Sequence, residues 1–237
     1  MRFADAITRL EAALQSPLPG AAAQAHLAPV PRLAWPPGDT ARVRDAAGLI
    51  LVFPKTTINA EPAEPAEKDR PPRVQRVPRS PSSGDAHIIL TVRADALRHG
   101  GQVSLPGGVV DPGETFEQAA LREAHEEEAL PLERVRVLGA LTPMDIPVSG
   151  FRLHPIVAMR DSQPALLASD GEVARILEID VDDLMDPAHL IATERERGGF
   201  RLTVPAFKIA DVEIWGATAM VLAEFLVLIG WSGPKPA

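Results

Sequence analysis

Between residues 114 and 127 the chain places Glu114, Arg122, Glu123, Glu126 and Glu127 in a turn followed by a helical pattern. Carboxylates grouped in this way can hold hard divalent cations against a phosphate-bearing substrate, because such ions take oxygen ligands. A helix turns about 100° per residue, so Glu123 and Glu127 share a face and Glu126 flanks them within an arc of roughly 100°. Phe116, Ala119, Ala120 and Leu130 fall on the same arc and are expected to face a core, with Glu117, Gln118, His125 and Glu128 on the opposite side. Like charges at this spacing repel, and partial burial makes each one costlier. A cation would relieve both effects.

The acidic pattern is preceded by Leu105-Pro106-Gly107-Gly108 and then Asp111-Pro112-Gly113-Glu114. Glycine lets a backbone approach a phosphate or a metal closely. Thr115 and Gln118 have the spacing of a capping box, which predicts a helix starting at about residue 116.

The elements that must position these groups read as an α/β pattern. Residues 1 to 15 are expected to be an amphipathic helix, followed by a Pro- and Ala-rich connector to about residue 40. Strands are predicted over 46–53, 87–93, 135–141, 151–160, 176–181 and 201–209, with a short helix near 182–190. Residues 54 to 86 are rich in Pro, Glu, Arg and Ser and lack apolar periodicity, so they read as a long loop insertion that could instead order against a partner subunit. A homodimer therefore stays open. The apolar stretch 214–231 is cut by Glu224 into pieces too short to cross a bilayer, so it is read as a buried C-terminal helix with Trp215 in its packing.

With 237 residues and 46% apolar content the chain can build one decorated domain. Its formal charge of −8 argues against a nucleic-acid partner, and an anionic substrate must be met by local cations. There is no cysteine, hence no disulfide or thiolate chemistry, which fits a cytoplasmic protein. No membrane partner is expected.

At Gly108, Glu114, Arg122, Glu123, Glu126 and Glu127 the chain resembles the Nudix hydrolases. Their motif runs Gly, five residues, Glu, seven residues, then Arg-Glu-apolar-x-Glu-Glu-x-Gly-apolar. Ala129 replaces the last glycine, and Ala124 is a small member of its apolar class. The flanks are similar to the coenzyme A pyrophosphatase branch: Ile89-Leu90-Thr91-Val92-Arg93, Arg98, Gly101-Gln102 leading into Leu105-Pro106-Gly107-Gly108, and Ile214 to Ala219. Leu105 stands where that branch has Phe, and the Arg98–Gly101 interval is one residue short.

The resemblance implies a Nudix-type α/β/α sandwich with a mixed sheet, residues 41–237 forming the hydrolase domain around the 54–86 insertion. It implies a magnesium- or manganese-dependent enzyme that hydrolyses coenzyme A or acyl-coenzyme A to adenosine 3′,5′-bisphosphate and 4′-phosphopantetheine or its acyl derivative. ADP-ribose or a related nucleoside diphosphate is the alternative substrate, and a non-catalytic nucleotide-binding module is the remaining one. Glu123, Glu126, Glu127 and the Gly108 carbonyl are the implied metal ligands. Arg122 would orient a glutamate, with Glu114 its natural partner. Glu172, in the segment Ser169-Asp170-Gly171-Glu172, is either the general base or a solvated turn residue. Arg93, Arg98, Gly107 and Gly108 are the implied substrate contacts, although Arg93 could equally be an exposed strand charge. His154 reads as a satisfied core residue.

Overall fold

Successive residues of a strand point to opposite faces, and the strand around residue 50 is apolar on both. Ala47, Leu49, Leu51 and Phe53 enter one core, whereas Ile50 and Val52 enter another. Such a strand must be covered on both sides.

The computed structural model describes residues 1–32, 43–55, 84–94, 100–169, 171–197 and 199–234. In chain order its elements are α1 (Phe3–Ala13), α2 (Gly20–Gln24), β1 (Arg44–Lys55), β2 (Asp85–Arg93), β3 (Val103–Ser104), β4 (Gly107–Val109) and α3 (Phe116–Glu128). There follow β5 (Arg136–Ala140), β6 (Met144–Ile146), β7 (Phe151–Met159), β8 (Val173–Asp180), α4 (Val181–Met185), β9 (Leu190–Arg197), β10 (Phe200–Ile209), β11 (Val212–Trp215) and α5 (Ala217–Leu228). β1 pairs with β7 in parallel and with β2 and β4 antiparallel, so the main sheet is mixed. Its path runs β3-β2-β1-β7-β5, with β8 on β2 and β6 on β7, and β9, β10 and β11 form a second, three-stranded sheet.

Helix α3 covers one face of the main sheet through Ala119, Ala120 and Ala124, all fully buried. Helices α1 and α5 cover the other through Phe3, Leu10, Phe225 and Leu226. The result is an α/β/α sandwich. Each fully buried leucine or phenylalanine contributes about 1.5–3 kcal/mol of transfer free energy, so both faces hold the sheet firmly.

Several boundaries differ from the sequence expectation. The 16–40 connector contains α2 and a 3-10 turn at Ala25–Leu27, because α2 is anchored to α5. Glu224 of α5 is completely buried and accepts hydrogen bonds from the Gly20 backbone (3.2 Å), Gln24 Nε2 (2.9 Å) and Thr142 Oγ1 (2.7 Å). The residue that breaks the apolar run is thus a buried acceptor joining three segments. Helix α5 starts at Ala217, and Trp215 ends β11 instead of opening the helix. Residues 54, 55, 85 and 86 of the expected insertion belong to paired strands, with Lys55 opposite Asp85; residues 56–83 lie outside the described residues. Within the described residues, no helix is long and apolar enough to cross a membrane.

Candidate active site

Thr115 caps α3 as its sequence spacing predicts. Its hydroxyl accepts from Gln118 N at 3.2 Å, and Gln118 Oε1 accepts from Thr115 N at 2.9 Å. The buried alanines let α3 lie close on β1, and β1 also carries the glycine turn through the pairing of Ala47 with Gly108 and Gly48 with Gly107. Helix and turn therefore meet at a spacing set by one strand. Gly107 N donates to Glu127 Oε2 at 3.1 Å. A Cβ on Gly108 would stand 2.4 Å from the Glu123 carboxylate carbon, and one on Gly107 only 2.2 Å from the Ala47 carbonyl oxygen. Gly107 is needed by the strand pair, Gly108 by the carboxylate.

Arg122 organises the acidic groups. Its Nε and Nη2 grip Glu114 bidentately at 2.8 and 3.1 Å, Nη1 donates to Glu123 at 2.9 Å and Glu126 at 3.0 Å, and Nη2 also reaches the Val109 carbonyl at 3.1 Å. This fork geometry is what arginine offers and lysine does not. The bonds from Arg122 and the Asp111 backbone hold the Glu114 carboxyl below its ordinary range, and Arg122 is itself held more firmly protonated, chiefly by Glu114.

Glu123 and Glu127 behave in the opposite way. Burial pushes the Glu123 carboxyl up, against the lowering effect of Arg122, and the charges of Glu126 and Glu172 add to the rise. Burial pushes Glu127 up to about 7, helped by Glu123 and Glu172 and opposed by the Gly107 N–H and Arg93. A pair of enclosed carboxylates raised in this way is short of positive charge. A divalent cation fits that deficit, the all-oxygen donor set and the side-chain-free cradle at Gly108.

Two groups distant in sequence join them. Leu167 N donates to the Glu128 carbonyl at 2.9 Å and Ser169 N to the Glu127 carbonyl at 2.8 Å, tying the loop before β8 to the last turn of α3. Ala94 N then donates to the Glu172 carbonyl at 2.9 Å. Glu172 is thereby brought within electrostatic reach of both Glu123 and Glu127. Arg93 is locked by backbone bonds with Gln102 O (3.0 Å) and Gly101 N (2.9 Å), and its charge acts on Glu127.

The glycine turn has a second neighbour. Gly107, Gly108 and Arg93 line a cavity of about 1010 Å³. Its lining also includes Leu202 and Val204 of β10, Trp215 of β11, Arg195 of β9 and Met220 of α5.

Some expectations need correction. Phe116 is 37% exposed and stacks on His154 of β7 with ring centroids 3.6 Å apart, outside the buried core. Glu128 is 0% exposed, not on a solvent face, and neither carboxylate oxygen has a hydrogen-bond partner. The left-handed residue Ala129 (φ 51°) ends the helix there, and the loop carrying Leu167 and Ser169 bonds to the Glu127 and Glu128 carbonyls. The Glu126 side chain is 56% exposed and turned to Arg122, so the predicted arc is two enclosed carboxylates with a third at the rim. Among the described residues no three acidic or histidine side chains converge closely enough to hold a metal ion. His154 is satisfied as expected, bonded to Asp45 at 2.8 Å. Arg98 lies outside the described residues. Sequence reasoning missed Arg195 and the cavity role of Trp215; an arginine and a tryptophan twenty residues apart carry no spacing signal.

The NUDIX domain profile matches residues 73–197, more than half of the chain. The chain belongs to the Nudix family and is a Nudix hydrolase. It is 35% identical over 144 residues to an uncharacterized Nudix hydrolase NudL of Pectobacterium atrosepticum, covering 60% of this chain and 74% of that protein. It is 37% identical over 145 residues to the NudL protein of Cronobacter sakazakii, covering 60% and 75%. Among solved structures, a Nudix hydrolase of M. smegmatis, RenU, is similar at 25% identity with a TM-score of 0.43, covering 59% of this chain and 72% of that one.

Proposed function

We propose that this Nudix hydrolase cleaves the pyrophosphate of coenzyme A or its thioesters, giving adenosine 3′,5′-bisphosphate and 4′-phosphopantetheine or its acyl derivative. One observation carries the reading: Gly107 and Gly108 touch the enclosed carboxylates and also line the large cavity. That cavity combines an apolar wall, including Leu153, Leu202 and Met220, with the cations Arg44, Arg93 and Arg195. A molecule with a pyrophosphate centre, a nucleotide end and a long weakly polar arm matches both linings.

Glu123, Glu127 and the Gly108 carbonyl are the proposed ligands of magnesium or manganese, with Glu126 completing the set after release from Arg122. Metal bound there would neutralise phosphate oxygens and lower the pKa of a bound water. Arg122 holds Glu114, Glu123 and Glu126 in register, and acts as a positioning residue. Arg93 meets the negative charge of the pyrophosphate, with Arg98 a second contact assigned by motif. Water attacks one phosphorus, its proton passes to Glu172, and the bond to the bridging oxygen breaks with the electron pair leaving on the departing phosphate.

A turnover panel of coenzyme A, ADP-ribose, NADH and diadenosine polyphosphates, each with magnesium and manganese, tests the substrate. Highest kcat/KM for coenzyme A or an acyl-coenzyme A is expected. Faster cleavage of ADP-ribose overturns the proposal.

A further inference from the structure

Two arginines lining the cavity are laid on aromatic rings. The Arg44 guanidinium lies 4.4 Å from the centre of Phe151, and that of Arg195 lies 4.1 Å from the centre of Trp215. They differ in their surroundings. Arg44 is exposed at the start of β1, whereas Arg195, on β9, is partly enclosed. Arg195 Nη2 donates to Glu213 at 2.8 Å, and Lys208 approaches the other oxygen of Glu213 at 3.5 Å. One carboxylate is thus shared by two cations, Lys208 also acts on Asp211, and the acids Asp145 and Glu196 line the same cavity. Arg195 Nε is buried with no hydrogen-bond partner, so this guanidinium is held by packing more than by saturated bonding. A buried unsatisfied donor needs a reason. On a chain of formal charge −8, a guanidinium laid on an aromatic ring in a cavity wall, with one buried donor unmet, suits an anionic ligand.

The wall is also rigidly related to the glycine turn. Thr218, just after Trp215, donates to the Val103 carbonyl at 3.0 Å, and β3 leads within a few residues to Gly107. The start of α5, next to Trp215, is thereby joined to the strand that leads into the glycine turn.

We infer that Arg195, held flat by Trp215, is a specificity-determining residue that binds a phosphate monoester of the substrate outside the scissile pyrophosphate. This rests on the coenzyme A reading, in which that group is the 3′-phosphate. Trp215 and Glu213 are its positioning residues. The contact acts on binding, and the bond-breaking step is left to the glycine turn and α3.

The test compares coenzyme A with dephospho-coenzyme A for wild type, Arg195→Ala, Arg195→Lys and Arg98→Ala. Calorimetry measures adenosine 3′,5′-bisphosphate and adenosine 5′-monophosphate without metal. Wild type should prefer coenzyme A. Arg195→Ala should lose about 10- to 100-fold in kcat/KM for coenzyme A, mainly through KM, and change little for dephospho-coenzyme A. Arg195→Lys, which keeps the charge and the fold, should fall between. Equal losses on both substrates in a folded variant, or a preference abolished by Arg98→Ala but kept by Arg195→Ala, overturns the inference. If wild type cleaves ADP-ribose fastest, the substrate reading has failed separately. Calorimetry then decides: loss of bisphosphate-over-monophosphate preference in Arg195→Ala sustains the phosphate contact, and an unchanged preference sinks it.

Discussion

The two walls that meet at Gly107 and Gly108 are built on opposite plans. The chemical wall is mostly one continuous segment, β4 through α3, joined by Arg93 and Glu172; in it Arg122 grips Glu114 and leaves Glu123 and Glu127 enclosed with too little positive charge. The recognition wall is drawn from β7, β9, β10, β11 and α5, and it presents the Arg195 guanidinium laid on Trp215 with one donor unmet. The first has a deficit that a cation fills, and the second presents a guanidinium that an anion can meet. Substitutions on the chemical wall should therefore act on kcat, and those on the recognition wall on substrate choice.

The largest effect should come from Glu123→Gln and Glu127→Gln. Each removes a proposed charged ligand while keeping shape, and turnover should fall roughly 10³-fold or more with the fold intact. The same variants should lose the rise in melting temperature that millimolar magnesium or manganese gives the wild type by linkage. Near-normal kcat in either, or a wild-type melt indifferent to both ions, would break the contrast at its root.

Gly108→Ala comes next. Its Cβ would press on the Glu123 carboxylate, the end of a flexible side chain, so the protein should fold and kcat should drop about 10- to 100-fold. KM for coenzyme A should change little; a KM effect without a kcat effect would show that the turn belongs to recognition alone.

A pH series on metal-free protein examines the enclosed charges themselves. Burial pushes the Glu128 carboxyl up to about 8, with repulsion from Glu127 second. A carboxyl raised on folding takes up a proton, so its contribution is complete below the unfolded value near 4.5 and is lost as pH rises through about 8. Stability should decline over that window, with Glu127 acting in the same direction up to about 7. Glu128→Gln should be more stable than wild type at pH 8, by on the order of 1–3 kcal/mol, with a flatter melting profile. A wild-type profile that rises from pH 5 to 8 would falsify the buried-charge account.

The smallest effect concerns the end of α3. Ala129 sits at φ 51°, where glycine is favoured. Ala129→Gly should stabilise the protein by about 1 kcal/mol and leave kcat unchanged, measured by denaturant unfolding.

Much of the chemical wall could be read from the chain because its parts are local. Capping box, glycine turn and Arg-Glu spacing all lie within about two dozen residues, and helical geometry relates them without tertiary information. Even there the expected burial of Phe116 and exposure of Glu128 were reversed, since periodicity specifies a face but not where the sheet ends or which loop folds over it. The second sheet was less visible: β9 is rich in charged residues and β11 is four residues long, so neither carries a strong apolar alternation.

By itself, the sequence determined the family, the α/β class, the acidic helix with its cap and the pairing of Arg122 with Glu114, because each depends on residue type and short spacing. Tertiary structure alone decided that Glu172 and Arg93 act on Glu127, that Glu224 is a buried hub, and that Arg195 and Trp215 line one cavity with the glycine turn. Those relations depend on which strands pair and which loops close over α3, and long-range pairing leaves no fixed interval in the chain.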